Sequence, residues 1–154
     1  MALTQFTCTQ HIPATLDEVW AFISSPKNLQ AITPDYMAFQ IKNESLPEKM
    51  YPGMIISYTI KPLLRVKMNW VTEITHVREK EYFVDEQRQG PYALWHHEHF
   101  IRPASGGVEM TDIVSYLPPF GFLGRLANQL FLKRQVRQIF TYRTKVLEEI
   151  FNHK

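Results

Sequence analysis

Hydrophobic and polar residues alternate with a period of two over most of the chain, and a period near 3.6 takes over only towards its two ends. Phe6, Cys8 and Ile12 fall on one side of residues 3–12, with Gln5, Thr7, Thr9 and His11 on the other. That is the pattern of a half-buried strand, and Pro13 ends it. Thr15-Leu16-Asp17-Glu18 reads as a capping box: the Thr15 hydroxyl can accept from the Glu18 amide while the Glu18 side chain reaches back. The helix it opens carries Val19, Trp20, Phe22 and Ile23 and stops near Ser24-Ser25-Pro26. A second short helix, through Leu29 and Ile32, is bounded by Pro26 and Pro34.

From Met37 to Leu117 the strand period dominates. Met37, Phe39 and Ile41 alternate first, then Met54, Ile56, Tyr58 and Ile60 after the Pro52-Gly53 turn. Val66, Met68, Trp70, Thr72 and Ile74 follow. The runs Tyr82–Gln89 and Tyr92–Arg102 meet at Gly90-Pro91, and Val108 to Tyr116 comes after Ser105-Gly106-Gly107. Each run has one apolar face, so an antiparallel meander is expected. Pro118-Pro119 ends it, and from about Phe122 the chain turns helical. Leu132, Val136, Ile139, Phe140, Val146, Leu147 and Ile150 recur at three and four, with charged residues on the other side. Such a stripe needs a broad surface, and only the sheet offers one. The expected fold is α+β, a single domain over 1–154 in which about seven antiparallel strands, in the order β-αα-β6-α, curve around a long C-terminal helix.

Composition narrows the function classes. A net charge of +2 is too small for a nucleic-acid footprint. One cysteine, Cys8, excludes an internal disulfide and fits a reducing compartment. The first residues lack a basic stretch followed by an apolar run, and no segment approaches the roughly 20 apolar residues of a membrane span. A cytoplasmic, soluble protein without a transmembrane segment is expected.

The candidate chemistry lies in Trp95-His96-His97-Glu98-His99-Phe100. On a strand, Trp95, His97 and His99 share one face, and His96, Glu98 and Phe100 take the other. A three-residue turn at Gly90-Pro91 brings Phe83, Asp85 and Gln87 to the face of Trp95, His97 and His99, whereas a two-residue turn would flip one strand. The three-residue turn is expected, because the residues then converge on one wall with Asp112. Asp112 falls on an inward face between Met110 and Val114, and Arg143 on the apolar stripe of the last helix. A buried charge must be paired, so Arg143 is expected to pair with Asp112 first and Asp85 second, or to hold the polar end of a ligand, unless it snorkels out of the stripe. His97 or His99 beside Asp85 or Asp112 is the setting of a general base. His-x-His is also a metal-ligand spacing, for which Asp85 or Asp112 could supply a third ligand. No Cys or third His shares the face, so neither metal nor cofactor is expected. No Gly-x-Ser-x-Gly elbow or Gly-rich phosphate loop is present.

The element order, with Phe22-Ile23-Ser24-Ser25-Pro26-Lys27-Asn28-Leu29 to Thr33-Pro34, Gly53, Trp70, Phe83, Asp85, Gln87 and Gly90-Pro91-Tyr92, resembles the SRPBCC or START-like (helix-grip) superfamily. Trp95, His97, His99, Phe100, Asp112, Val114, Tyr116, Pro118, Gly124 and Ile139-Phe140-Thr141-Tyr142-Arg143 extend the likeness, which looks like a bacterial polyketide cyclase/dehydrase-like branch. The superfamily's grip carries binders, enzymes and regulatory modules alike. The leading expectation is a cavity between sheet and terminal helix that holds a small hydrophobic or amphipathic, lipid- or polyketide-like molecule. Phe39, Tyr58, Trp70, Trp95, Val114, Tyr116 and Phe140 would line it, and Asp85, Gln87, Asp112, Arg143 and the two histidines would orient the polar end. The alternative is a cyclase/dehydratase-like enzyme with His97 or His99 as base and Asp112 orienting it. Residues 117–125 are too apolar for a solvated turn and are expected to fold back over the pocket. A transient membrane or protein contact, helped by Arg125, Lys133, Arg134 and Arg137, is the other reading.

Overall fold

The structure is a computed structural model, described for residues 3–62 and 65–152, without the side chain of Arg125. Strand β1 (Thr4–Ile12) leads into helix α1 (Leu16–Ile23). The predicted box caps α1: the Thr15 hydroxyl accepts from the Glu18 amide at 3.3 Å, and the Thr15 amide donates to Glu18 Oε2 at 3.0 Å. Then come β2 (Gln40–Ile41), β3 (Met54–Ile60), β4 (Met68–Arg78), β5 (Tyr82–Gln89), β6 (Leu94–Ala104) and β7 (Gly107–Leu117). Among the described residues these form one antiparallel seven-stranded sheet in the order β1-β7-β6-β5-β4-β3-β2. The meander is thus completed by β1 returning to the edge beside β7.

Three local features depart from simple alternation. The strand expected from Met37 shrinks to Gln40–Ile41, because Asp35–Met37 is a 3-10 turn closed by Ala38 at φ 46° and ψ 48°, a left-handed conformation that breaks the extended chain. Val66 precedes β4 and is exposed. The β4–β5 register shifts after Val71 and again after Ile74. The second leaves Thr75 of β4 without a partner and exchanges that strand's faces, so Trp70, Thr72 and Ile74 are buried, while beyond them Val77 packs on the core and His76 is exposed. The helix expected through Leu29 and Ile32 is a single 3-10 turn, Pro26–Leu29.

The terminal helix has three parts: α2 (Gly121–Ala127), a π turn (Asn128–Leu132) and α3 (Lys133–Asn152). Tyr116 Oη donates to Asn128 Oδ1 at 2.9 Å, and Asn128 Nδ2 donates to Thr4 Oγ1 at 2.9 Å. The π turn is thereby pinned to β7 and β1. In α3, Val136, Phe140, Arg143, Leu147 and Phe151 are buried at intervals of three and four. The core centres on Ile12, Val19, Trp20, Ile74, Met110 and Leu147. Leu147 is fully buried, so Leu147→Ala would cost about 2–5 kcal/mol.

The apolar segment after Pro119 does not fold back. Phe120 is 84% exposed, Leu123 70%, and neither reaches the cavity described below. Phe120 adopts φ 63° as the chain enters α2, and with Leu123 it faces Pro62, Pro91 and Tyr92 across a separate groove. Among the described residues no helix is long and apolar enough to cross a membrane.

Candidate functional site

Strands β5, β6 and β7 set out the polar residues in facing pairs. Asp85 stands opposite His97 and Phe83 opposite His99 across β5–β6, while His99 stands opposite Asp112 across β6–β7. This is the register of the odd-numbered turn at Gly90-Pro91. Strand alternation turns Trp95, His97 and His99 towards α3, and it leaves His96 outside with its Nδ1 2.7 Å from Glu86 Oε1. Helix α3 brings Arg143 down onto the cluster.

Asp112 is the hub. Its Oδ1 lies 2.9 Å from His97 Nε2, 3.0 Å from His99 Nδ1 and 3.7 Å from Arg143 Nη2. Asp85 Oδ2 lies 2.6 Å from His99 Nε2 and 3.6 Å from His97 Nδ1. Arg143 Nη2 is also 3.3 Å from His99 Nδ1. The two imidazoles lie 3.6 Å apart centre to centre, with Phe83 stacked on His99 at 3.9 Å. His97, His99, Asp112 and Arg143 are all buried.

The burial sets the electrostatics. Desolvation would raise Asp112, but the Arg143 charge and the hydrogen bonds of His97 and His99 outweigh it and hold the carboxyl well below its ordinary range. Asp85 is lowered in the same way: burial opposes, and its hydrogen bond to His99 with the charges of His97, His99 and Arg143 prevails. For His97 the balance reverses. Burial, then the neighbouring His99, pushes it down to about 4 despite Asp112 and Asp85. A neutral imidazole between two carboxylates results.

A cavity of about 130 Å³ opens against this cluster. Phe39, Tyr58, Trp70, Trp95 and Phe140 form its aromatic wall, and Asp85, His97, His99 and Arg143 its polar end. Burial raises the Tyr58 phenol above its ordinary value, so it stays neutral. Trp70 Nε1 and Arg143 Nε are buried and have no hydrogen-bond partner among the described residues.

Four expected site residues lie elsewhere. Gln87 closes the β5–β6 turn instead: its Nε2 donates to the Tyr92 carbonyl at 2.7 Å and its Oε1 accepts from the Tyr92 amide at 3.1 Å. Val114 and Tyr116 pack under Val136 and Phe140, which fill the space above β7. Asp112 sits behind the histidines, off the cavity wall. Conversely Leu29, Ile32, Thr33, Met37, Ile60 and Ile139 line the cavity without having been singled out for it. Ile139 was legible on the helical stripe, but nothing in the spacing of Leu29 to Met37 says which way two 3-10 turns face.

No family model matches the chain, and no curated protein matches it in sequence. Solved structures do. The KanY protein (ms6282) is similar with a TM-score of 0.74 at 13% identity, covering 99% of both chains. Protein CV1439 of Chromobacterium violaceum gives 0.72 at 11% identity over 96% of both. Ara h 8.0201 gives 0.65 at 13% identity, over 99% of this chain and 100% of that one. At such identities the likeness shows the fold: a curved antiparallel sheet gripping a long C-terminal helix.

Proposed function

We propose that the protein binds a small neutral molecule, about one ring in size, that carries a hydroxyl or carbonyl oxygen. One observation carries this reading: two buried N–H donors, Trp70 Nε1 and Arg143 Nε, belong to residues of the cavity wall and have no acceptor among the described residues. A buried donor without a partner costs about 1–3 kcal/mol, which a ligand oxygen would offset. The apolar part of the ligand would lie among Phe39, Tyr58, Trp95 and Phe140. Two carboxylates against one guanidinium disfavour a ligand that brings a further negative charge. The volume narrows the earlier expectation, since about 130 Å³ falls below the roughly 300 Å³ at which drug-sized ligand pockets begin. A lipid chain or a polycyclic polyketide would need the cavity to widen.

An acid–base role of the cyclase/dehydratase kind is the second reading. It is favoured by the 2.9 Å contact of His97 Nε2 with Asp112, which would leave Nδ1, 3.6 Å from Asp85 Oδ2, as the proton-accepting nitrogen.

Titration with acetophenone, 4-methylphenol, benzoate and myristate, followed by the indole N–H resonances of Trp70 and Trp95, tests the binding reading. The two neutral compounds should shift both resonances, and Ile139→Phe should abolish the shift by filling the cavity. Absence of any shift at millimolar ligand, or tighter binding of benzoate or myristate, would refute it.

A further inference from the structure

We propose that Asp85, His97 and His99 hold one divalent transition-metal ion at the polar end of the cavity, through Asp85 Oδ2, His97 Nδ1 and His99 Nε2. This goes beyond the binding of an organic molecule and stands without it, since the ion needs only protein ligands.

The geometry carries the inference at three levels. One ligand atom from each residue lies within 4.8 Å of the others, with Asp85 Oδ2 2.6 Å from His99 Nε2 and 3.6 Å from His97 Nδ1. Donors of a tetrahedral site with bonds of about 2.0–2.1 Å stand about 3.3 Å apart, so both separations need to change by less than about 1 Å. The outer shell is also in place. Each imidazole turns its other nitrogen to one and the same oxygen, Asp112 Oδ1, at 2.9 Å and 3.0 Å. Metal-ligating histidines are oriented by such a carboxylate, and Arg143 at 3.7 Å anchors this one. Third, Asp85, His97 and His99 line the cavity and Asp112 does not, so remaining coordination positions would face the space in which a small oxygen ligand fits.

Electrostatics point the same way. When His97 Nε2 donates to Asp112, the lone pair of its Nδ1 faces the Asp85 carboxylate, acceptor against acceptor. A cation between them turns that repulsion into two bonds, and it balances the second carboxylate that Arg143 leaves uncompensated. Two nitrogens and one carboxylate oxygen without a thiolate suit Zn²⁺, Fe²⁺ or Co²⁺, whereas Mg²⁺ and Ca²⁺ favour oxygen shells and Cu⁺ favours sulfur.

Wild-type protein stripped with a chelator and titrated with Co²⁺ tests this. One equivalent should bind with visible d–d absorption, displaced by Zn²⁺, and ring-proton resonances of His97 and His99 should show the largest paramagnetic shifts. Asp85→Asn and His97→Gln should abolish binding, Asp112→Asn should weaken it about 10- to 100-fold, and His96→Ala should leave it unchanged. Where a variant does not fold, the wild-type resonances decide. No saturable binding at millimolar Co²⁺, or shifts centred on His11, His76 or His96, would overturn the site and leave a proton-bridged network in its place. Metal binding without any acetophenone shift would sink the organic-ligand reading alone, and the converse result would sink this one alone.

Discussion

Asp112 Oδ1 lies 2.9 Å from His97 Nε2, on a diagonal of the β6–β7 ladder in which the residue directly opposite Asp112 is His99. One carboxylate oxygen thus orients two imidazoles and faces one guanidinium, and the consequences can be measured.

Asp112→Asn removes the charge that compensates Arg143 while keeping the side chain's volume. A buried network that loses one charged partner is expected to lose about 3–5 kcal/mol. Arg143→Met keeps the apolar stem and should cost less. Because the two act on each other, the double variant should be more stable than the sum of the single losses implies. Urea unfolding with a chelator present measures all three, and simple additivity would mean that Arg143 and Asp112 are not coupled.

Acid should destabilise the metal-free protein above the range where carboxylates titrate. The His97 imidazole takes up a proton near 6.5 in the unfolded chain but only at about 4 when folded, so the unfolded state binds more protons between these values. Stability therefore falls as pH drops from about 6.5 towards 4, by up to about 1.4 kcal/mol per pH unit. The Asp112 contribution is present above its ordinary value of 3.8 and is lost only as pH falls further, through its lowered folded value. Unfolding free energies at pH 7, 6, 5 and 4.5 should show the first slope, and His97→Gln should flatten it.

Gln87→Ala should loosen the β5–β6 turn without touching the cavity wall. It deletes two hydrogen bonds to the Tyr92 backbone, worth about 0.5–1.5 kcal/mol each. Tyr92 packs at 4.9 Å on Trp95 and 5.8 Å on Trp70, so tryptophan fluorescence should report the change along with the melting temperature. An unchanged melting temperature would mean that these two hydrogen bonds do not hold the turn.

Phe120→Gly separates a lid from an outward turn. The ring is 84% exposed at φ 63°, where glycine carries no Cβ penalty, so stability should hold or rise by up to about 1 kcal/mol. A loss of more than about 1 kcal/mol in chemical unfolding would mean that the ring is covered in solution.

The element order, the capping box at Thr15, the inward face of Trp95, His97 and His99, and the amphipathic terminal helix are all legible in the order of the amino acids. These are local properties: alternation and the 3.6-residue period state which face a residue takes, and one buried face suffices to fix them. What each inward residue meets depends instead on how the elements pack against one another. Val114 and Asp112 share a face two residues apart, yet one packs under Phe140 and the other backs the histidines, because α3 presents a ring to the first and Arg143 to the second. Gln87 reads like Asp85 from its parity, but its reach to Tyr92 makes it part of the turn. The β4–β5 register shifts, the left-handed Ala38 and the positive φ of Phe120 likewise follow from backbone geometry that hydrophobic pattern does not encode. The convergence of Asp85 and both histidines on one small cavity depends on three strand registers and one helix position at once, and no spacing along the chain contains that information.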